Sequence, residues 1–95
     1  MAEPKKEIRL NESENWYEVL LDGNRVALAH FVPNGEVRIF DHTETDEDHE
    51  GQGLAGQVVQ FALDDVRAKG LKICPTCPYV IHWLKQHPDY IDLVA

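Results

Sequence analysis

The sequence predicts a layered α/β (α+β) domain: a mixed sheet that begins as an antiparallel β-meander, continues as α-β-α, and carries its helices packed on the sheet. Three observations predict it. Between Trp16 and His42, β-branched and aromatic residues fall in short runs parted by turn residues. From Leu54 to Val66 apolar residues recur at helical spacing, directly after a glycine-rich turn. A short apolar run at Leu71–Cys74 and a second helical pattern then follow, which adds one strand and one helix.

Each element has a local cause. Residues Met1–Glu7 are polar and contain Pro4, so residues 1–7 are expected to be disordered. The meander strands are expected at Trp16–Leu21, Arg25–Val32 and Glu36–His42, joined by Asp22-Gly23-Asn24 and Pro33-Asn34-Gly35, both sequences with hairpin-turn chemistry. In the second strand Ala27, Ala29 and Phe31 alternate with Val26, Leu28, His30 and Val32. Both faces are partly apolar, and helices are expected to cover one of them. The first helix sets Leu54, Ala55, Val58, Val59, Ala62, Leu63 and Val66 against Gln57, Gln60, Asp64 and Arg67, and Gly70 is its expected stop. Leu71–Cys74 reads as a buried strand ended by Pro75. Pro78 suits the first position of a second helix with Val80, Ile81, Trp83 and Leu84 as its apolar side, and Pro88 keeps that helix from passing far beyond His87.

Composition narrows the function classes. A chain of 95 residues with 43% hydrophobic content suffices for one domain spanning residues 1–95. No apolar run approaches the roughly 20 residues that cross a bilayer, and the N-terminus lacks a secretory apolar stretch, so a cytoplasmic protein is expected. Seventeen acidic against nine basic residues give a net charge of −8. That sign disfavours nucleic acid and anionic membranes as partners, and favours amines or basic peptides.

The stretch from His42 to Lys69 organises the chain, because a strand, a glycine turn and a helix together build an anion site. Glycine permits close backbone approach, and the first helical N–H groups have no intrahelical partner and lie at the positive end of the dipole. A phosphate or pyrophosphate is the natural guest. A plainer reading gives Gly51, Gly53 and Gly56 only a tight turn and close helix packing.

Glu50–Ala55, E-G-Q-G-L-A, resembles the acyl-CoA signature of the GCN5-related N-acetyltransferases, a G-x-G-x-G/A motif between a strand and a helix. The segments H-T-E at His42–Glu44, P-T-C-P-Y-V at Pro75–Val80 and H-P-D-Y-I-D-L-V at His87–Val94 are similar to the small single-domain members of that family, so the likeness covers residues 8–95. The resemblance implies an acetyl-CoA (coenzyme A) cosubstrate without a metal, and N-acetyl transfer to an unidentified amine acceptor, which could be a protein or peptide. It implies that backbone N–H groups from Gln52 to Gly56 cradle the CoA pyrophosphate and that His42, Thr43, Glu44 and Thr45 meet the pantetheine arm. The cofactor-binding set so implied also includes Gly51, Gly53, Leu54, Ala55, Cys77 and Tyr79. One position departs from the pattern. Glu50 stands where the broader family usually has Arg or Gln, and a carboxylate aimed at a pyrophosphate costs about 1 kcal/mol in water.

The candidate catalytic residues are His42, Glu44 and Cys77. An attacking amine must be neutral, and an ammonium of pKa roughly 8 to 10 needs a proton acceptor, for which His42 and Glu44 are placed at the end of the third meander strand. If Pro78 opens a helix, Cys77 is its N-cap, where amides and the dipole favour thiolate. Tyr79 and Tyr90 are possible donors to the leaving thiolate. Cys74-Pro75-Thr76-Cys77 admits other readings: a redox pair, a zinc site with His82 and His87, or a buried strand cysteine at 74 beside an ordinary cap at 77. Direct attack within a ternary complex is preferred over a relay through Cys77. The alternative function is a non-catalytic CoA-binding or protein-interaction module.

Overall fold

The structure, a computed structural model, describes residues 4–95. Five strands form one sheet in the order β1-β2-β3-β4-β5: β1 Lys6–Asn11, β2 Trp16–Leu21, β3 Asn24–Asn34, β4 Val37–Thr45 and β5 Lys72–Pro75. The first four are antiparallel neighbours, and β5 lies parallel to β4 after the crossover helix α1, Leu54–Ala68. Helix α2, Pro78–Gln86, and a 3-10 segment, Pro88–Leu93, complete the chain. The meander and the α-β-α order are as the sequence predicts.

The N-terminal strand is a correction. Of the segment expected to be disordered, residues 1–3 lie outside the described residues, and Lys6 and Glu7 belong to β1. Ile8 and Leu10 alternate toward the core, and β1 pairs with β2 from Lys6↔Leu21 to Asn11↔Trp16. The turns behave as their residues dictate. Asp22 and Gly23 both have positive φ, +49° and +83°, which matches the twist of the β2–β3 hairpin.

α1, α2 and the 3-10 segment share a single core with one sheet face, built on Tyr17, Val19, Ala27, Ala29, Phe31 and Phe40 below and Val58, Val59, Ala62, Leu63 and Val66 above. Tyr17 Oη donates to Asp65 Oδ2 at 2.5 Å and accepts from the Arg38 guanidinium, tying sheet to helix. The Schellman end of α1 uses Gly70 at φ +70°, with Leu71 N–H on the Val66 carbonyl at 3.0 Å. Among the described residues no helix lies over the opposite sheet face, and the β1–β2 connection is only the short turn at residues 12–15. There Glu18 is 3% exposed, yet it accepts from Arg9, Asn11 and Trp16.

Two irregularities shape β4. The pairing steps from His30↔His42 to Phe31↔Phe40, so Asp41 is an extra residue in β4 and the side-chain alternation reverses there. Phe40 and Thr43 therefore share the core face, while His42 and Glu44 turn to the open face. The ladder to β5 stops at Phe40, whose carbonyl accepts from the Thr76 and Cys77 amides at 2.9 and 3.0 Å. From Asp41 onward β4 keeps β3 as its only strand neighbour among the described residues, and the sheet forks.

Candidate functional site

The fork leads into a cavity of about 430 Å³ lined by Thr43, Glu44, Thr45, His49, Glu50, Gly51, Gly53, Leu54, Ala55 and Tyr79. Its floor is the free edge of β4, and its far wall is the loop between β4 and α1. That loop makes a 3-10 turn at Glu47–His49, held by His49 Nδ1 against Asp46 Oδ2 at 3.1 Å, then passes Gly51 at φ +82° and Gly53 at φ +75°. Gly53 is the N-cap of α1 and offers no side chain to its amides. The first bond in helical register runs from Gln57 N–H to the Gly53 carbonyl at 3.1 Å, and the Leu54, Ala55 and Gly56 N–H groups have no acceptor among the described residues, at the positive end of a 15-residue helix.

Gly56 has a different part from the other two glycines. Its φ is ordinary, and a Cβ built on it would lie 3.5 Å from Tyr79 Oη and 3.7 Å from Trp83 Nε1. The plainer packing reading thus fits Gly56, whereas Gly51 and Gly53 carry the turn.

The structure brings most of the expected residues together, with clear exceptions. Thr43, Glu44, Thr45, Gly51, Gly53, Leu54, Ala55 and Tyr79 wall one cavity, whereas His42, Gln52, Gly56 and Cys77 do not line it. His42 and Glu44 form a pair on the open face, Nε2 to Oε1 3.6 Å, with side chains 59% and 61% exposed. Cys77 is the N-cap of α2, as Pro78 implies, but it is buried, makes no capping hydrogen bond, and sets its Sγ 3.7 Å from Thr43 Oγ1. Tyr79 stands on the cavity wall, its hydroxyl pKa raised by burial. Glu50 also lines the cavity.

Several neighbouring residues resolve differently from expectation. Cys74 is exposed, not a buried strand residue, because Ile73 takes the inward position of β5 and Cys74 alternates outward. Tyr90 Oη donates to Asp64 at 2.6 Å, which commits it outside the cavity. His87 closes α2, as expected, stacked on Trp83 with ring centroids 3.8 Å apart. Among the described residues, no three His, Cys, Asp or Glu side chains are placed to hold a metal ion. Sequence reasoning missed His49 as a wall residue, although its position two residues before Gly51 is the signal that places it there. It also missed a second cleft of about 290 Å³, lined by Arg25, Val26, Ala27, Leu28, Glu44, Thr45 and Asp46, which shares Glu44 and Thr45 with the first cavity.

Comparison with known proteins agrees with this architecture. The family profile for GCN5-related N-acetyl-transferase matches residues 16–93. Protein NATD1 of Mus musculus is 30% identical over 74 residues, which cover 76% of this chain and 67% of that protein. A GCN5-like protein from Staphylococcus aureus, solved by NMR in solution, superposes with TM-score 0.72 at 23% identity, covering 94% of this chain and 87% of its own. The ribosomal-protein-S18-alanine N-acetyltransferase of Escherichia coli gives TM-score 0.64 at 15% identity, over 77% of this chain and 52% of that enzyme. The ribosomal-protein-alanine N-acetyltransferase of Brucella melitensis biovar Abortus 2308 gives TM-score 0.56 at 21% identity, over 84% and 60% respectively. This chain spans about half to three-fifths of those two enzymes, and such identities speak for the fold. With the profile covering most of its length and the fold shared with these structures, the chain belongs to the GCN5-related N-acetyltransferase family.

Proposed function

We propose that this chain binds acetyl-CoA in the fork of its sheet and transfers the acetyl group to a primary amine. The observation that carries the reading is the conjunction of a strand edge left free beyond Phe40 with free helical amides at Leu54–Gly56. An extended amide-bearing arm fits a free strand edge, since it can take the hydrogen bonds that β5 makes further back. A pyrophosphate fits the amides, because they need no side chain to attract an anion. Pantetheine meets β4 at His42–Thr45, with Thr43, Thr45 and Tyr79 along its path, and the diphosphate meets Gly51–Gly56.

The chemistry is direct attack. The acceptor approaches from the open face, where the exposed His42–Glu44 pair takes a proton from its ammonium. The neutral nitrogen then bonds to the thioester carbonyl carbon, backbone N–H groups polarise the oxygen, and the C–S bond breaks as the tetrahedral adduct collapses. The Tyr79 hydroxyl gives its proton to the departing thiolate and is restored by the proton that the adduct nitrogen sheds as it becomes the amide. A covalent relay through Cys77 is disfavoured, because its sulfur is buried against Thr43.

A second reading, CoA binding without turnover, is favoured by Glu50, whose carboxylate stands on the wall where a diphosphate would lie. Titrating acetyl-CoA while following amide shifts, then assaying a lysine-bearing basic peptide with wild type, His42→Ala and Glu44→Gln, separates the two. Shifts concentrated at Gln52–Gly56 and turnover lowered at least tenfold by either substitution are expected. Binding without turnover selects the second reading. Amides that stay unmoved at saturation overturn both.

A further inference from the structure

The open face of the sheet carries an aromatic platform at some distance from the His42–Glu44 pair. Register sets Trp16, His30 and His42 in one row across β2, β3 and β4, and Glu18, Leu28 and Glu44 in the next. Neighbouring strands lie about 4.8 Å apart, so Trp16 stands roughly 10 Å from His42 on the same face. The indole is fixed by its neighbours. Its Nε1 donates to Glu18 Oε1 at 2.8 Å, and the His30 ring, bonded to Asp41 at 2.7 Å, borders it with centroids 6.5 Å apart.

That ring already bears a cation. The Arg25 guanidinium lies 4.8 Å from its centroid, within the range of a cation–π contact. In a chain with 17 acidic residues, Arg25 makes no ion pair among the described residues. It is exposed, and it also lines the second cleft together with Leu28, Glu44 and Asp46. Arg25 thus rests on an indole, not on a carboxylate, and joins the cleft to the platform.

We propose that Trp16 seats a second basic side chain of a polypeptide acceptor, three residues from the lysine that meets His42 and Glu44, and that Arg25 fills the seat until that side chain displaces it. Three residues of extended chain span about 10 Å, which matches the separation of Trp16 from His42. The exchange sets one cation in place of another on the same ring, and the exposed carboxylates of Asp41, Glu44 and Asp46 favour an incoming positive charge. A polypeptide suits the seat better than a small polyamine, because small molecules are held in concave sites that enclose most of their surface, and Trp16 stands on a sheet face with no helix over it among the described residues. The proposal rests on the open-face acceptor reading above and names its substrate class, segments of the pattern Lys-x-x-Arg.

Short peptides carrying Lys-x-x-Arg, Lys-x-x-Gln and, at the net charge of the first, adjacent Lys-Arg test it, titrated calorimetrically at low salt without acetyl-CoA into wild type, Trp16→Leu and Arg25→Gln. Wild type is expected to bind Lys-x-x-Arg about two- to fivefold more tightly than either other peptide, as an exposed cation–π contact allows. Trp16→Leu removes that preference, and Arg25→Gln enlarges it by emptying the seat. Equal binding of the three peptides by wild type, a preference kept by Trp16→Leu, or one that Arg25→Gln does not enlarge overturns the seat. Spermine bound as tightly as Lys-x-x-Arg overturns the polypeptide as its occupant. Should the variants not fold, wild-type indole N–H signals decide: Lys-x-x-Arg must shift that of Trp16 and leave that of Trp83 in place, Lys-x-x-Gln must move neither, and any other pattern refutes the seat. Turnover with acetyl-CoA is read separately. Turnover without the peptide preference overturns this proposal alone, whereas the preference without turnover overturns acetyl transfer and keeps the seat.

Discussion

Gly53 and Gly56 stand three residues apart and act in opposite ways. Gly53 holds φ +75°, a left-handed conformation that disfavours any Cβ by about 1 kcal/mol. Gly56 sits inside α1 with ordinary van der Waals room at 3.5 Å, so a methyl group there adds helix propensity of up to about 1 kcal/mol without a clash. Urea melts should therefore move in opposite directions, with Gly53→Ala destabilising and Gly56→Ala neutral to stabilising. A shared loss would mean that Tyr79 and Trp83 cannot accept the methyl. The sequence presents these glycines as one motif, because letters carry no backbone dihedral and no neighbour from α2. Glu50 is the third decisive residue. It lines the fork cavity while remaining exposed, so Glu50→Gln should tighten acetyl-CoA binding about fivefold, the equivalent of ~1 kcal/mol, by calorimetry at low salt. No gain would mean that the ligand lies away from this side chain.

At the scale of elements, the tie between sheet and α1 gives a pH-dependent prediction. Burial pushes the Asp65 carboxyl up, but hydrogen bonds from Lys69 and Tyr17 and the charges of Lys69 and Arg38 outweigh it, and its pKa ends below the ordinary carboxylate range. A depressed folded pKa contributes stability that is complete above the unfolded value, near pH 4, and is lost as pH falls through the folded one. Wild type should exceed Asp65→Asn in stability by about 1–2 kcal/mol at pH 7, and the gap should close below about pH 4. A gap unchanged at pH 3 would show that the charge of Asp65 is irrelevant. Elements were legible where their causes are local. The period from Leu54 to Val66, the Gly70 stop and Pro78 at the start of α2 placed the first residue of both helices and came close to their ends at Ala68 and Gln86, since spacing and caps are written in adjacent positions. β1 was hidden because Ile8 and Leu10 alternate among charged residues, and only the pairing with β2 makes the segment a strand. The bulge at Asp41 was hidden for the same kind of reason, as it exists only relative to the register of β3. That bulge decides that His42 and Glu44 face outward and Thr43 faces Cys77, which sequence position alone leaves undetermined.

On the scale of the whole molecule, the fork and the net charge act together. The candidate anion site was readable from chain order, strand then glycines then helix, whereas the open face follows from the shortness of a turn and from the parallel seating of β5. Both faces of β4 become available at its end, and the proposed reaction uses both, with the acyl donor on the core side and the acceptor on the other. The second cleft lies on this acceptor side, with Glu44 and Asp46 at its wall, and the molecule carries −8 around it. A negative surface of this kind raises the local concentration of cationic substrates and speeds their capture, an effect that shrinks with the Debye length from roughly 20 Å at 20 mM salt to about 4 Å at 500 mM. With acetyl-CoA saturating, kcat/KM for a lysine-rich peptide should fall on the order of tenfold across that range. For an amine that carries a single charge it should change by less than about twofold, because one charge couples weakly to the field. A peptide rate that ignores salt, or rises with it, would mean that the acceptor is not drawn by the acidic face, and would turn the search toward neutral or anionic amines seated by the Leu28 floor and Arg25 of the second cleft.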